Sequence, residues 1–289
     1  MGASDGISPV VPRRRLRTEL KKARLEARQT QSDVATAMDW SLSKVIRIEA
    51  GTVSISTNDL KALLRQYKIV DRARTAELLA LGKAARGRTW WSQYRSKASP
   101  GLLDLIGYET AASARRNFEP LLIPGLLQTR EYARAVIAIL NKGVAPDRMD
   151  ALVEIRMRRQ ELVDRPNPPE LFFILDEAAV RRLTGGPDVM RHQLHHLMEV
   201  AEKPNVTIEV LPFSAGVRHG MKTSFVVLEF PDAADDDVLY LEDAEGGLVI
   251  REDREEIQAY REIFEDLEKV ALKPKETLGH IGKVAEEIT

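Results

Sequence analysis

The chain has 289 residues, 44% of them hydrophobic and 30% charged, a balance that belongs to folded globular proteins and excludes a disordered or fibrous one. It contains no cysteine, which removes disulfides, thiolate metal sites and cysteine nucleophiles, and no apolar run reaches the ~20 residues a bilayer requires. The net charge of −1 conceals a division: residues 1–99 carry 20 Lys+Arg against 9 Asp+Glu, a net of +11, and the remainder carries 23 against 35, a net of −12. A basic N-terminal part suits a polyanion, because each Lys or Arg brought to a phosphate releases a condensed counterion. The length accommodates a small domain and a larger one. Residues 1–12 lack the apolar core of a signal peptide and are expected to form a flexible tail. A cytoplasmic location without membrane association is expected.

Leu16, Leu20, Ala23 and Ala27 recur at helical spacing and predict a first helix whose other face is basic. Thr30 is the expected cap of a second helix over 31–38. Asp39 then occupies a turn position that calls for positive φ, where glycine is usual. A third helix is predicted from Ser41 to Gly51, with Gly51 as the left-handed residue after its C-terminus. Val34, Met38, Trp40, Val45 and Ile48 supply apolar contacts, and the small Ala35 stands at the point of closest approach. Two short helices crossing at a steep angle about a tight turn require this arrangement. Ser41, Leu42, Ser43, Lys44 and Arg47 then lie on the exposed side of the third helix, whose first turn can enter a major groove. Glu49 is expected to pair with a basic residue of the first helix. Helices over 57–67 and 71–85 complete a five-helix domain spanning 13–85.

The segments Gln31-Ser32-Asp33-Val34-Ala35 and Ser43-Lys44-Val45-Ile46-Arg47-Ile48-Glu49-Ala50-Gly51 resemble the phage-repressor (XRE) family of helix-turn-helix proteins. The resemblance implies that Gln31 meets a phosphate at the start of the second helix and that Leu42, Ser43 and Arg47 face base edges. It also implies that Ser41, Lys44, Thr52 and Ser54 hold the backbone of a double-stranded operator. Leu42 departs from the polar residue common at its position. It can touch a thymine methyl but cannot hydrogen-bond a base.

A linker is expected over 86–100, with Trp90, Trp91 and Tyr94 packing it against the next domain rather than stacking on bases. In the regulatory domain, 101–289, helical patterns cover 102–118, 126–140 and 146–163. The apolar run 171–175 predicts a buried strand, a helix starts near Pro187, and further strands are predicted at 206–211, 223–230 and 238–241. A helix over 251–271 and a last one carrying Leu278, Ile281 and Ile288 follow. The alternation predicts an α/β domain with a sheet of at least four strands.

Three segments of this half, Phe118-Glu119-Pro120-Leu121-Leu122-Ile123-Pro124-Gly125-Leu126-Leu127-Gln128-Thr129, Arg156-x-x-Arg159-Gln160 and Val210-Leu211-Pro212-Phe213, are similar to an actinobacterial domain of unknown function that follows helix-turn-helix domains in WhiJ-like regulators. That resemblance implies a transcriptional regulator working with a small partner protein, in a developmental or toxin–antitoxin-like setting.

Other candidate chemistry is sparse. His192, His195 and His196 share a helix face and have the spacing to bind zinc, although surface histidines are common. Asp176-Glu177 and Glu242-Asp243 end strands, where paired carboxylates serve acid–base chemistry or, more often, cap helices. Two residues separate His219 from Lys222, where the His-x-Lys of phospholipase-D-like enzymes has one. Gly185-Gly186 and Gly246-Gly247 are expected as turns. Residues 232–268 hold 15 acidic residues and three arginines, a solvated face or a docking surface for a basic partner. The expected function is that of a DNA-binding transcriptional regulator, a homodimeric repressor without enzymatic activity or cofactor, controlled through residues 101–289 by a small protein partner or a ligand. An antitoxin-like protein that neutralises a partner and binds DNA for autoregulation is the alternative.

Overall fold

The computed structural model describes residues 8–232, 234–242 and 248–288, and the chain divides into two compact units, Met1–Ser92 and Gln93–Thr289. Among the described residues, the first unit comprises helices α1 (Val10–Glu26), α2 (Gln31–Ala37), α3 (Leu42–Glu49), α4 (Thr57–Gln66) and α5 (Arg72–Ala84). Local chemistry sets the starts of four of them. Thr30, Ser41, Ser56 and Asp71 each accept a hydrogen bond from the backbone N–H three residues on, satisfying a donor that a helix leaves unpaired at its N-terminus. Thr30 and Asp33 form a reciprocal capping box, and the N–H of Thr30 holds the Asp33 carboxyl below its ordinary range. Leu16, Leu20, Val34, Val45, Ile48, Leu60, Leu64 and Leu78 meet in one apolar core. Gly82 on α5 lies against α4 so closely that a Cβ there would stand 2.6 Å from Leu60 Cδ2.

The first helix begins three residues inside the stretch expected to be a tail. Val10 and Pro12 are buried, and Pro12 falls in the first turn, where its missing N–H costs nothing. Residues 1–7 of that expected tail lie outside the described residues. The expected linker carries a 3-10 turn, Trp90–Tyr94, in which Trp91 is buried and meets Trp90 edge-on.

The second unit contains α6 (Pro100–Ala111), β1 (Ala114–Glu119), α7 (Arg130–Leu140), α8 (Pro146–Gln160), β2 (Glu170–Asp176), α9 (Glu177–Arg181), α10 (Pro187–Val200), β3 (Val206–Leu211), β4 (Phe225–Glu229), β5 (Val238–Glu242), β6 (Leu248–Arg251), α11 (Arg254–Glu268) and α12 (Pro274–Glu287). Among the described residues they form a six-stranded mixed sheet in the order β3-β2-β1-β4-β5-β6. The pairs β1–β2 and β2–β3 are parallel, and β1–β4, β4–β5 and β5–β6 are antiparallel. Helical crossovers join the parallel strands, as parallel pairing demands. Alternate residues of β2 serve opposite faces. Leu171, Phe173 and Leu175 pack with Tyr132, Met190, Leu194, Leu197 and Ile281 from the surrounding helices, whereas Ile174 joins Phe118, Phe225, Val227, Leu239, Ile257, Phe264 and Leu267.

Several expected boundaries are corrected. The helix expected over 102–118 stops at Ala111, and its last residues are the central strand β1. The sequence of β1, ARRNFE, lacks apolar alternation because its inward polar groups are paired rather than absent. Arg115 and Arg159 both bond the buried Glu109 carboxylate, and Arg115 also reaches Asn117 Oδ1 at 2.8 Å. The helix expected from 126 begins at Arg130 on a Thr129 cap. The one expected over 251–271 begins at Arg254, capped by Asp253, with β6 preceding it.

Candidate nucleic-acid interface

The α2–α3 pair is built from local signals that reinforce each other. Asp39 adopts φ +52°, the left-handed conformation expected of it, and the chain reverses through Trp40 N–H bonding to Ala35 O at 2.9 Å. Ser41 then caps α3 by accepting from Lys44 N at 3.2 Å. Val45 and Ile48 point into the core, at 2% and 5% exposure. The opposite side of α3 presents Ser43, Ile46, Arg47 and Ala50, with Ser41 and Leu42 at its leading edge, all exposed.

The expected site residues do not all share one face. Ser41, Leu42, Ser43 and Arg47 lie on the open face, with the Arg47 Nε donating to Ser43 O at 3.2 Å so that the side chain runs back along its own helix. Lys44 turns aside. Its Nζ lies 3.1 Å from Asp59 Oδ2 and 3.7 Å above the Trp40 ring, a cation–π contact that ties α3 to the turn before it. Gln31 donates one amide hydrogen to Glu49 Oε2 at 2.8 Å, which fixes its rotamer and leaves its second N–H for another acceptor. Glu49 is the structural residue the sequence suggested. Its carboxylate receives Arg24 Nε at 2.6 Å and Arg24 Nη2 at 3.1 Å, clamping α1 to α3 and α2, and this bond raises the Arg24 pKa. Thr52 and Ser54 are exposed, and the Thr52 hydroxyl donates to Arg47 O at 3.2 Å.

Sequence reasoning missed two sets of residues. Ile46 and Ala50 sit on the outer face with Ser43 and Arg47, as a rotation of about 100° per residue requires; a helical projection centred on Val45 and Ile48 would have found them. The second set surrounds the loop after α3. A Cβ on Gly51, whose φ is +71°, would lie 3.2 Å from Arg17 Cδ and 3.8 Å from Arg13 Cγ, so both arginines of α1 run beside the C-terminal end of the helix. Arg86 donates to Ile55 O at 2.7 Å and Thr57 Oγ1 at 2.8 Å. Arginines distant in sequence thus rim the Thr52–Ser54 loop, and only the fold brings them there.

In the second unit, His192 and His195 are exposed and His196 is half-buried, its pKa lowered by burial despite Glu199 3.7 Å away. Among the described residues no three or more His, Asp or Glu side chains are placed to hold a metal ion. Asp176 caps α9 by accepting from Ala178 N at 2.8 Å. Burial pushes its neighbour Glu177 upward, but bonds from Phe213 N and Arg181 outweigh that and leave its pKa lowered. Glu242 accepts from Ser224 Oγ at 2.9 Å; Asp243 and the Gly246-Gly247 pair lie outside the described residues. At the end of β1, burial pushes Glu119 up to about 7, against the bond from Asn117 and with help from the Glu242 charge. Burial, together with the Arg159 charge, lowers the nearby Arg156 to about 10. Arg156 bonds Gln128 Oε1 at 2.7 Å, and Gln160 bonds the carbonyls of Gly125 and Gln128 at 3.0 and 2.7 Å, so two of the quoted segments interlock. In the acidic stretch, Arg254 pairs with Asp236, Arg261 with Asp237, and Arg251 lies 3.6 Å from Glu256.

An N-capped helix pair about a left-handed turn, with an open outer face and a basic rim, defines the first unit as a helix-turn-helix DNA-binding domain, carried in one chain with a mixed α/β unit. Comparison with known families agrees: a model described as a helix-turn-helix domain matches residues 15–78. A second, described as a domain of unknown function (DUF5753), matches residues 102–283, well over half of the chain, and the protein belongs to that family. No curated protein and no solved structure matches the chain. Among the described residues no helix is long and apolar enough to cross a membrane.

Proposed function

We propose that this protein is a sequence-specific transcriptional repressor of the XRE type that occupies an operator through α3 and answers to a signal received by its α/β unit. The observation that carries the reading is the outer face of α3. Ser43, Ile46 and Arg47 are exposed there while the residues that hold the helix in place are spent on structure. Arg47 is the base-reading cation, since a guanidinium spans the O6 and N7 of guanine. Ser41, Gln31 and the Thr52–Ser54 loop meet the backbone, and Arg13, Arg17 and Arg86 add charge to that contact.

A single helix-turn-helix covers little DNA, so the reading includes a homodimer that spans two half-sites about one helical turn apart, ~34 Å. The control element is a small protein partner with a basic face, for which the acid-rich 232–268 segment of the second unit is the complement. The antitoxin-like role, with DNA binding as autoregulation, is the second reading and rests on the same acidic segment. Selection of duplexes from a random library by the full-length protein tests the proposal. Enrichment of a common motif, in which one base preference is lost in Arg47→Ala, supports it; binding that no sequence improves would refute it.

A further inference from the structure

We propose that α3 selects its site through the 5-methyl groups of two neighbouring thymines in the major groove, touched by Leu42 and Ile46. The inference rests on the assignment of α3 as a DNA-reading helix and adds the base chemistry it reads. Leu42 and Ile46 are 46% and 45% exposed. Four residues apart on one helix, they stand side by side and form an apolar strip along the face that also carries Ser43 and Arg47.

Neither side chain donates or accepts a hydrogen bond. In the major groove the C5 methyl of thymine is the apolar feature that a base edge offers. The surroundings suit DNA as the occupant. The strip is bordered by Ser43 and Arg47, the loop after the helix is rimmed by Arg13, Arg17 and Arg86, and residues 1–99 carry a net charge of +11. Lys44 is drawn away to Asp59 and Trp40, so its ammonium does not compete for the same base edges. Each half-site should therefore contain two adjacent thymines within reach of Leu42 and Ile46, next to the base that Arg47 bonds.

Deoxyuridine removes only the methyl, so it isolates the contact. The full-length protein is used to select duplexes from a random library, and the enriched pool is then synthesised with either thymidine or deoxyuridine. Burying one methyl is worth roughly a fourfold change in Kd, so the uridine pool should bind roughly fifteenfold more weakly per half-site. In a Leu42→Ala/Ile46→Ala variant the two pools should bind alike. In Arg47→Ala both should weaken while their ratio persists. Equal binding of the two pools by the unaltered protein would overturn the inference and leave the proposed function standing; it is also the outcome expected if the strip docks a protein. A ratio undiminished in the double variant would overturn it as well, by assigning the effect to duplex stiffness. Failure to enrich any sequence would overturn this inference and the proposed function together.

Discussion

Replacing Glu49 with alanine probes the joint that aims α3. Arg24 and Glu49 side chains are 9% and 6% exposed, and the carboxylate takes two of the three guanidinium bonds recorded for Arg24, at 2.6 and 3.1 Å. The third goes to Gln29 O at 2.8 Å. Removing the carboxylate strands a buried cation, which typically costs about 3–5 kcal/mol, and frees Gln31 from its anchor. Set against the 5–15 kcal/mol that holds a typical domain together, this is a large fraction. The three tryptophans, Trp40, Trp90 and Trp91, all fall in residues 1–92, so fluorescence during guanidinium titration of the intact chain reports on this unit. The midpoint should fall by the amount that 3–5 kcal/mol implies at an unchanged slope. Glu77→Ala, which removes the partly exposed Arg15–Glu77 pair at 29% and 53% exposure, should cost no more than about 1 kcal/mol. Apolar replacement of both partners, Arg24→Met with Glu49→Leu, should restore most of the loss. If Glu49→Ala is no more harmful than Glu77→Ala, the clamp does not hold the helices and the reasoning fails.

Three further outcomes are expected. Arg13→Ala and Arg17→Ala should each weaken binding to all duplexes alike and lower the slope of log K against log salt by about one, whereas Arg47→Ala should cost about 1–3 kcal/mol on the selected sequence alone; mobility shifts at several salt concentrations separate the two. Glu119 lies at about 7 in the folded protein against an ordinary value of 4.5, so its contribution to stability is complete below pH 4.5 and is lost as pH rises through 7. Glu119→Gln should therefore gain on the native protein between pH 5 and 8, by on the order of 1–3 kcal/mol, and a stability difference from denaturant titrations followed by circular dichroism that ignores pH would count against this. Gly82→Ala should destabilise the first unit by about 1–3 kcal/mol through overpacking on Leu60, visible in the same fluorescence titration.

What could be read from the sequence was what local chemistry decides. Thr30, Ser41, Asp39 and Gly51 act on backbone within a few residues of themselves, and their roles follow from side-chain type and spacing. The partner of Glu49 could be guessed only as a basic residue of the first helix, because choosing Arg24 among its neighbours needs the helix crossing. β1 was misread for the opposite reason. Its Arg115 is made acceptable at the centre of a sheet by Glu109, at the end of the preceding helix and itself held by Arg159 of α8, and its Asn117 by Arg115 and the distant Phe225 carbonyl; nothing inside ARRNFE announces that rescue. The Arg13, Arg17 and Arg86 rim was hidden in the same way, since a basic run on a helix looks identical whether it faces water or a neighbouring loop. Ile46 was different. The helical period alone places it, but matching residue by residue to a familiar motif favours the polar positions that motif emphasises.

The same distinction bears on how the proposed control would work. The core of the first unit closes on itself, from Leu16 on α1 to Leu78 on α5, and its caps, its left-handed turn and the Arg24–Glu49 clamp all lie within residues 24–71. The shape of α3 is thus fixed by interactions internal to the unit, and a signal received by the second unit has little to remodel there. The control proposed here therefore acts on presentation, by changing how two preformed reading heads are spaced against half-sites ~34 Å apart. A partner can shift that equilibrium only by the difference in its affinity for the two arrangements, so a partner that binds both equally would leave DNA affinity untouched however tightly it is held.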